Sequence, residues 1–212
     1  MQHESDDDTP QLSLETFAAL QEFYNEQMER ESAAQEVSTS NICNMNISED
    51  WQLSQFWYDE ESIKTLTRLA IETVGKDGKI ALISCPSLYK SIKNELSNNG
   101  EANLYEFDRR FAIFGTDFNF YDYKSPLEIP KHKSQYYDLV IADPPFLSDE
   151  CLAKTSVTMK YLAKNKMILC TGAIMAPLAD RLLSLKKTEF EPKHNNNLGN
   201  EFWCYSNYEV KL

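Results

Sequence analysis

"YDLVIADPPF", residues 137–146, ends a strongly apolar run with an acid, two prolines and an aromatic residue. Neither proline has an N–H group to donate, so a β-strand that contains Leu139–Ala142 must stop here. In open α/β sheets, ligands bind at the carboxyl ends of the strands. We therefore expect the tetrad, defined as Asp143, Pro144, Pro145 and Phe146, to lie at a ligand site.

Around this stretch, apolar strands alternate with amphipathic helices. The pattern predicts helices near 59–74, 87–97, 148–164 and 174–185, and strands near 79–84, 103–108, 118–123, 137–143, 166–172, 187–191 and 201–208. Such alternation predicts a parallel sheet that is covered on both faces, and the short loop before the last strand predicts an antiparallel return. The expected fold is α/β: a mostly parallel, Rossmann-like sheet of about seven strands with an antiparallel last strand, the architecture of class I methyltransferases.

The first 47 residues differ from the rest. Residues 1–36 carry ten acids and one arginine, whereas the other 176 residues have a net charge of only −3. Apolar residues at helical spacing predict one amphipathic helix after Thr9-Pro10, and a polar linker follows over 31–47. We interpret 1–47 as an acidic extension and 48–212 as the domain. The helix is expected to pack on its own domain, and binding to a partner is the alternative.

Composition excludes several classes of protein. No basic stripe is present for a phosphate backbone, so a nucleic-acid partner is disfavoured. No apolar run approaches the roughly 20 residues that span a bilayer. The five cysteines and three histidines show no metal-binding spacing, and unpatterned cysteines favour a reducing compartment. We expect a cytoplasmic monomer without a metal.

The tetrad has the chemistry to hold an amine. The Asp143 carboxylate and the Pro144 carbonyl can accept hydrogen bonds from two N–H groups of one nitrogen, which aims its lone pair at a methyl donor. Phe146 offers a wall for a planar base or for the stem of a lysine. The four tetrad residues are the predicted catalytic residues. The alternative is that the prolines only end a strand.

A cofactor is expected beside the first two strands. The turn after the first strand contains no Gly-x-Gly, which argues against a dinucleotide and is compatible with S-adenosylmethionine. Asp108 is the predicted acceptor for the ribose hydroxyls, although it could be a surface acid beside Arg109 and Arg110, and Glu106 replaces it if the strand ends earlier. Asp122 is a weaker candidate for the adenine amino group. The predicted cofactor residues of the strand ends are Ser84, Cys85, Pro86, Asp108, Asp122 and Asp143.

Four large aromatic rings lie within the eight residues "WQLSQFWY", 51–58. Rings at this density are often core residues. Their place before the first helix of the domain also suits a flap over the methionine end of the cofactor. On that interpretation Phe56, Trp57 and Tyr58 are cofactor-binding residues.

Six motifs together resemble one eukaryotic family: "WQLSQFWY", "ALISCPSLY", "FDRRFAIFG", "FNFYDY", "DLVIADPPFLSDECLAKTS" and "ILCTGAIM". The N-terminal "TPQLS" and "ALQEFY" are also similar to it. The family is the lysine methyltransferases of translation elongation factor 1-alpha, first labelled as N6-adenine methyltransferases. The resemblance covers nearly the whole chain, whereas the tetrad alone is shared by adenine, cytosine, glutamine and lysine methyltransferases.

The resemblance implies S-adenosylmethionine-dependent N-methylation of a lysine in elongation factor 1-alpha, in the cytoplasm. It places the substrate amine at the tetrad, and Trp57, Ser84, Cys85 and Asp108 near the cofactor. Two alternatives remain open. One is an N6-adenine methyltransferase of RNA or DNA, in which Phe146 stacks on a flipped base. The other is a cofactor-binding adaptor without catalysis, which acts through the N-terminal helix.

Overall fold

A computed structural model describes residues 47–196 and 199–210 as an α/β fold. The helices are α1 (Glu60–Val74), α2 (Tyr89–Glu95), α3 (Asp149–Leu162) and α4 (Ala176–Leu183). The strands are β1 (Lys79–Ile83), β2 (Glu101–Glu106), β3 (Phe118–Phe120), β4 (Tyr137–Ala142), β5 (Ala163–Gly172), β6 (Lys186–Lys187) and β7 (Phe202–Ser206). Short 3-10 turns lie at Trp51–Leu53, Pro86–Leu88, Arg109–Asp117, Lys131–Lys133 and Ala173–Met175.

All seven strands form one sheet in the order β3-β2-β1-β4-β5-β7-β6. The β1, β2, β3, β4 and β5 strands pair in parallel, and β7 pairs antiparallel to both β5 and β6. The predicted fold class is confirmed. The direction of strand order reverses between β1 and β4, and such a switch point opens a crevice at the carboxyl ends of the two strands.

Helices cover both faces of the sheet. Alternate residues of β1 and β4 point to opposite faces, as the pleat requires. Ile80 and Leu139 belong to a core with α1 and α2, whereas Ala81 and Val140 belong to a core with α3 and α4. Because both faces are buried, the central strands have no polar side, which explains their continuous apolar sequence.

Two helix starts follow from local capping. The Asp59 side chain accepts a hydrogen bond from the Ser62 N–H at 2.8 Å and begins α1, and Gly75 follows its last residue with φ 76°. The Ser148 hydroxyl accepts from the Cys151 N–H at 3.2 Å and begins α3. Both starts agree with the sequence. Among the described residues, no helix is long and apolar enough to cross a lipid bilayer.

Several predicted strands end earlier than expected. The β2 strand ends at Glu106 instead of residue 108, because the Asp108 side chain caps the Arg110 N–H and starts the 3-10 turn. The β3 strand ends at Phe120, and the Asp122 side chain accepts from the Lys124 N–H in a turn. The β6 strand contains two residues only. The predicted N-terminal helix and linker lie outside the described residues, apart from residue 47.

Candidate active site

A cavity of about 500 Å³ lies at the carboxyl ends of β1, β2 and β4. This size is in the range of small-molecule sites. Ten of the twelve predicted site residues line it: Phe56, Trp57, Ser84, Cys85, Pro86, Asp122, Asp143, Pro144, Pro145 and Phe146. Tyr58 and Asp108 do not. Most of the predicted site residues therefore lie around one cavity, and the role of each stays a prediction.

The tetrad turns away from the sheet at the end of β4. The Asp143 N–H still bonds to the Ile83 carbonyl at 3.0 Å, and the two prolines then end the pairing. Pro144 is buried, whereas the Phe146 ring is 43% exposed. The Phe146 ring meets Tyr123 edge to face, with ring centroids 5.8 Å apart. The tetrad therefore offers a carboxylate at the base of the cavity and an aromatic wall at its rim.

Asp143 has an uncommon electrostatic setting. The Tyr58 hydroxyl donates a hydrogen bond to its Oδ2 at 2.6 Å. Burial raises the pKa of Asp143 to about 7, with a smaller upward contribution from Glu106, whereas the bond from Tyr58 lowers it. A carboxyl group with this pKa exchanges a proton near neutral pH, as acid–base residues do.

Glu106, and not Asp108, faces the cavity from β2. Its Oε1 accepts hydrogen bonds from the backbone N–H groups of Phe107 (3.0 Å) and Asp108 (3.1 Å). Within the described residues, its Oε2 makes no hydrogen bond. Burial raises the pKa of Glu106 to about 7. Glu106 is 6% exposed and lines the cavity, and a carboxylate oxygen that still reaches the cavity suits a ligand hydroxyl.

Asp108 is engaged elsewhere. Its Oδ2 lies 2.6 Å from Arg110 Nη2 and accepts from Gln55 Nε2 at 2.9 Å. The Asp108 side chain is 5% exposed and does not line the cavity. Its position therefore does not support the prediction that it binds the ribose hydroxyls. Asp108 lies away from the cavity because β2 ends two residues earlier than expected. The residue at the end of the strand is therefore Glu106, the alternative ribose acceptor.

The turn after β1 brings backbone and small side chains to the cavity. Ser84 has φ 54°, a left-handed conformation that non-glycine residues rarely adopt, and its N–H bonds to the Tyr105 carbonyl at 2.9 Å. Backbone strain of this kind clusters at functional sites. Cys85 is buried, and burial raises the pKa of its thiol well above the usual range. Its thiol is therefore a neutral wall of the cavity.

Residues 47–58, here called the flap segment, close one side of the cavity. Glu49 holds the segment together, because its carboxylate accepts from the Trp57 N–H (2.6 Å), from Trp51 Nε1 (3.1 Å) and from Asn196 Nδ2 (2.6 Å). Trp57 is half-buried and its ring packs edge to face on Phe111 at 6.2 Å. The expected flap is therefore tied to a loop that precedes β7.

Several lining residues were not identified from the sequence: Phe107, Tyr121, Tyr123, His194, Asn200 and Phe202. Phe107 and Tyr121 follow the ends of β2 and β3, so the strand-end rule could have found them. His194 and Asn200 come from the loop between β6 and β7, which is longer than expected because β6 ends at Lys187. Within residues 47–196 and 199–210, no cluster of three or more His, Cys, Asp or Glu side chains could hold a metal ion.

Sequence comparisons connect the chain with named proteins over nearly its whole length. A family described as "Probable N6-adenine methyltransferase" matches residues 49–210. The chicken (Gallus gallus) protein named EEF1A lysine methyltransferase 1 is 48% identical over 210 residues, 99% of each chain. The human protein of that name is 48% identical over 98% of this chain and 96% of its own. A protein-lysine N-methyltransferase of Caenorhabditis elegans is 44% identical over 96% of both chains.

Solved structures are similar in fold at low sequence identity. A branched-chain polyamine synthase of Thermus thermophilus has a TM-score of 0.57 and 12% identity, over 76% of this chain and 59% of that one. A magnesium protoporphyrin IX methyltransferase of Synechocystis, solved with bound SAM, has a TM-score of 0.51 and 10% identity, over 80% of this chain and 90% of that one. Together with the strand order, this likeness shows the class I methyltransferase fold.

Proposed function

This chain belongs to the EEF1A lysine methyltransferase 1 family, and on that premise we propose that it uses S-adenosylmethionine to methylate a lysine side chain of elongation factor 1-alpha. The observation that carries the proposal is the placement of all four tetrad residues in one cavity with Glu106 and the β1 turn. Methyl transfer needs adjacent sites for the methyl donor and the amine. In the cavity, Glu106 and the β1 turn would form the first site and the tetrad the second.

The residues present fit S-adenosylmethionine. Glu106 has a carboxylate oxygen available for ribose hydroxyls, the turn at Ser84 lacks the glycines that a pyrophosphate needs, and the rings of Trp57 and Phe107 supply apolar walls. These groups would hold the cofactor, and Asp122, which also lines the cavity, would be the candidate for its adenine amino group. When bound, S-adenosylmethionine supplies an electrophilic methyl group on a positively charged sulfur.

The tetrad then orients the amine. The Asp143 carboxylate and the Pro144 carbonyl accept its N–H groups, and the rigid proline backbone holds both acceptors in place. A lysine enters as an ammonium group and must lose a proton before it can react. Asp143, with a pKa of about 7, can take that proton and release it to water, after which its carboxylate accepts the N–H groups of the neutral amine. The apolar surface of Phe146 favours the neutral amine.

The description of the matching family keeps N6-adenine methylation as a second candidate. Phe146 and Tyr123 provide exposed and half-buried rings on which a flipped base could stack. The low net charge of the domain disfavours it, because binding to nucleic acid depends on phosphate contacts. The adaptor alternative predicts cofactor binding without turnover.

One assay separates these candidates. Purified unmethylated elongation factor 1-alpha, adenine-containing RNA and DNA are each incubated with the protein and S-adenosylmethionine carrying a labelled methyl group. We expect label in a lysine of the elongation factor alone. Label in adenine would support the second candidate, and absence of label from all three substrates would reject both catalytic proposals.

Asp143→Ala should abolish transfer and leave cofactor affinity nearly unchanged. Asp138→Ala is the matched control on the same strand, since Asp138 lies outside the cavity and pairs with Lys164 at 2.7 Å. The control should keep wild-type turnover. Full activity of Asp143→Ala would contradict the assignment of the tetrad.

We further propose that the protein acts as a monomer in the cytoplasm. The described cysteines, Cys85, Cys151, Cys170 and Cys204, are free thiols, which is compatible with a reducing compartment. Cell fractionation and light scattering of the purified protein test the two statements.

A further inference from the structure

Tyr58 contacts the tetrad from outside the cavity. Its side chain is 1% exposed and does not line the cavity, yet its hydroxyl lies 2.6 Å from Asp143 Oδ2. The sequence had suggested Tyr58 as part of a flap over the cofactor. The structure places its hydroxyl on Asp143 Oδ2 and its ring outside the lining of the cavity.

Backbone pairing fixes the position of Tyr58. The Asp59 N–H bonds to the Lys193 carbonyl, and the Asn195 N–H bonds to the Trp57 carbonyl, both at 2.9 Å. These two bonds flank Tyr58 and make it the partner of His194 in a short antiparallel bridge. The Tyr58 and His194 rings also pack with centroids 4.9 Å apart. The phenol is therefore held from the backbone, and its rotation is restricted before any ligand binds.

We propose that Tyr58 is a positioning residue for methyl transfer, which occupies Oδ2 of Asp143 and so directs Oδ1 to the substrate amine. The inference rests on the proposed function. A carboxylate with two available oxygens could hold an amine in several orientations. Because Tyr58 occupies Oδ2, the acceptors that remain for the amine are Oδ1 of Asp143 and the Pro144 carbonyl oxygen. When two N–H groups of the amine bond to these two fixed acceptors, its lone pair can point in one direction only.

The same bond favours the ionised form of Asp143. None of the ion pairs among residues 47–196 and 199–210 includes Asp143. Two titratable groups act on Asp143: Tyr58 of the flap segment and Glu106 of β2. The thiols of Cys85 in the β1 turn and Cys170 in β5 also face it, because its charge raises their pKa, and His194 packs on the Tyr58 ring. Burial and Glu106 oppose the ionised form, and Tyr58 stabilises it. Loss of the phenol hydroxyl should therefore raise the pKa of Asp143 further.

The test compares Tyr58→Phe with Tyr89→Phe. Tyr89 is a matched control because its hydroxyl also donates to a carboxylate, Asp117 Oδ2, at 2.7 Å, and it is buried outside the cavity. We expect Tyr58→Phe to lower kcat about fivefold or more at pH 7, with the ratio of variant to wild-type kcat rising with pH. One charge-assisted hydrogen bond corresponds to a shift of about one pH unit. Cofactor Kd should change less than about twofold, and Tyr89→Phe should change neither quantity.

A second measurement needs neither substrate nor cofactor. The carboxyl carbon of Asp143, observed by 13C NMR with Asp143→Asn to assign it, should titrate about one pH unit higher in Tyr58→Phe than in wild type. This result separates failure of the inference from failure of the proposed function, because the titration does not depend on which substrate is methylated. An unchanged titration midpoint, together with a kcat ratio that is flat with pH, overturns the role of Tyr58.

A fluorinated tyrosine at position 58 keeps the shape of the side chain if Tyr58→Phe does not fold. The more acidic phenol donates a stronger hydrogen bond, so the Asp143 midpoint should move to lower pH. A purely structural role for Tyr58 predicts no such shift. An unchanged Asp143 midpoint in the fluorinated protein would therefore reject the proposal.

Discussion

Replacing Glu106 with glutamine should weaken the binding of S-adenosylmethionine by about 10- to 150-fold. The Oε1 atom of Glu106 already accepts two backbone N–H groups, so Oε2 is the oxygen left for the ribose. In glutamine the amide oxygen would keep the backbone bonds, and an NH2 donor would face the ribose hydroxyls. Hydrogen bonds to a charged acceptor contribute about 1.5–3 kcal/mol, which gives the stated range.

The pH dependence gives an independent measure of the same bond. Because the pKa of Glu106 is about 7, the wild-type protein loses its carboxylate acceptor as the pH falls through 7. Cofactor affinity should therefore decrease below pH 7, by at most about tenfold per pH unit for this one group. In Glu106→Gln this part of the pH dependence of cofactor affinity should be absent. Calorimetric titration from pH 5.5 to 8.5 provides both curves.

Stability distinguishes lost binding from misfolding. The folded pKa of Glu106 lies above the value of about 4.3 for an unfolded glutamate, so its contribution to stability is full below pH 4.3 and is lost as the pH rises through 7. At pH 8 the buried carboxylate costs up to about 4 kcal/mol. Glu106→Gln without ligand should therefore unfold at pH 8 at a temperature no lower than wild type.

Asp108→Asn is the decisive comparison. It disrupts the 2.6 Å pair with Arg110, so it should cost about 1–2 kcal/mol of unfolding free energy and leave cofactor affinity within about threefold. The opposite outcome, with affinity lost in Asp108→Asn and kept in Glu106→Gln, would refute the assignment of Glu106 to the ribose.

Two further changes test the scaffold of the site. Glu49→Ala removes the acceptor of three hydrogen bonds, so amide hydrogen exchange should increase in residues 47–58 and 193–196. Cofactor affinity should also fall about fivefold. Unchanged exchange would contradict the role of Glu49 in the flap segment. Gly75→Ala places a side chain at φ 76°, ψ 174°, and the backbone strain should lower the free energy of unfolding in urea by about 1–3 kcal/mol. The added methyl group meets no atom within 4 Å, so a steric clash is not the cause. A decrease below about 0.5 kcal/mol would contradict this prediction.

The sequence predicted the features that depend on local or periodic signals. Continuous apolar strands gave the parallel sheet, and Asp143-Pro144-Pro145 gave the end of β4. The capping residues Asp59 and Ser148 marked two helix starts within one residue. Each of these signals acts within a few positions of the chain, so it can be recognised without knowing the tertiary structure.

The errors at the site have a different origin. The contact between Tyr58 and Asp143 joins residues 85 positions apart, and no periodicity reports it. The choice between Glu106 and Asp108 depended on where β2 ends, and the bond of Asp108 to the Arg110 N–H decided that point. Strand ends are the least certain part of a sequence-based prediction, and in this fold the site residues are at strand ends.

The electrostatics of the cavity bear on which amine it accepts. The pKa of both Glu106 and Asp143 is raised to about 7, mainly by burial, and the charge of Glu106 is part of the rise at Asp143. Two buried carboxyl groups that resist ionisation are relieved by a positive charge nearby. A sulfonium and a lysine ammonium both carry one, whereas the exocyclic amine of adenine is neutral. The same pair of acids that fits the proposed cofactor therefore also favours lysine over adenine, and a neutral aliphatic amide placed at the target position should bind far more weakly than the lysine that it replaces.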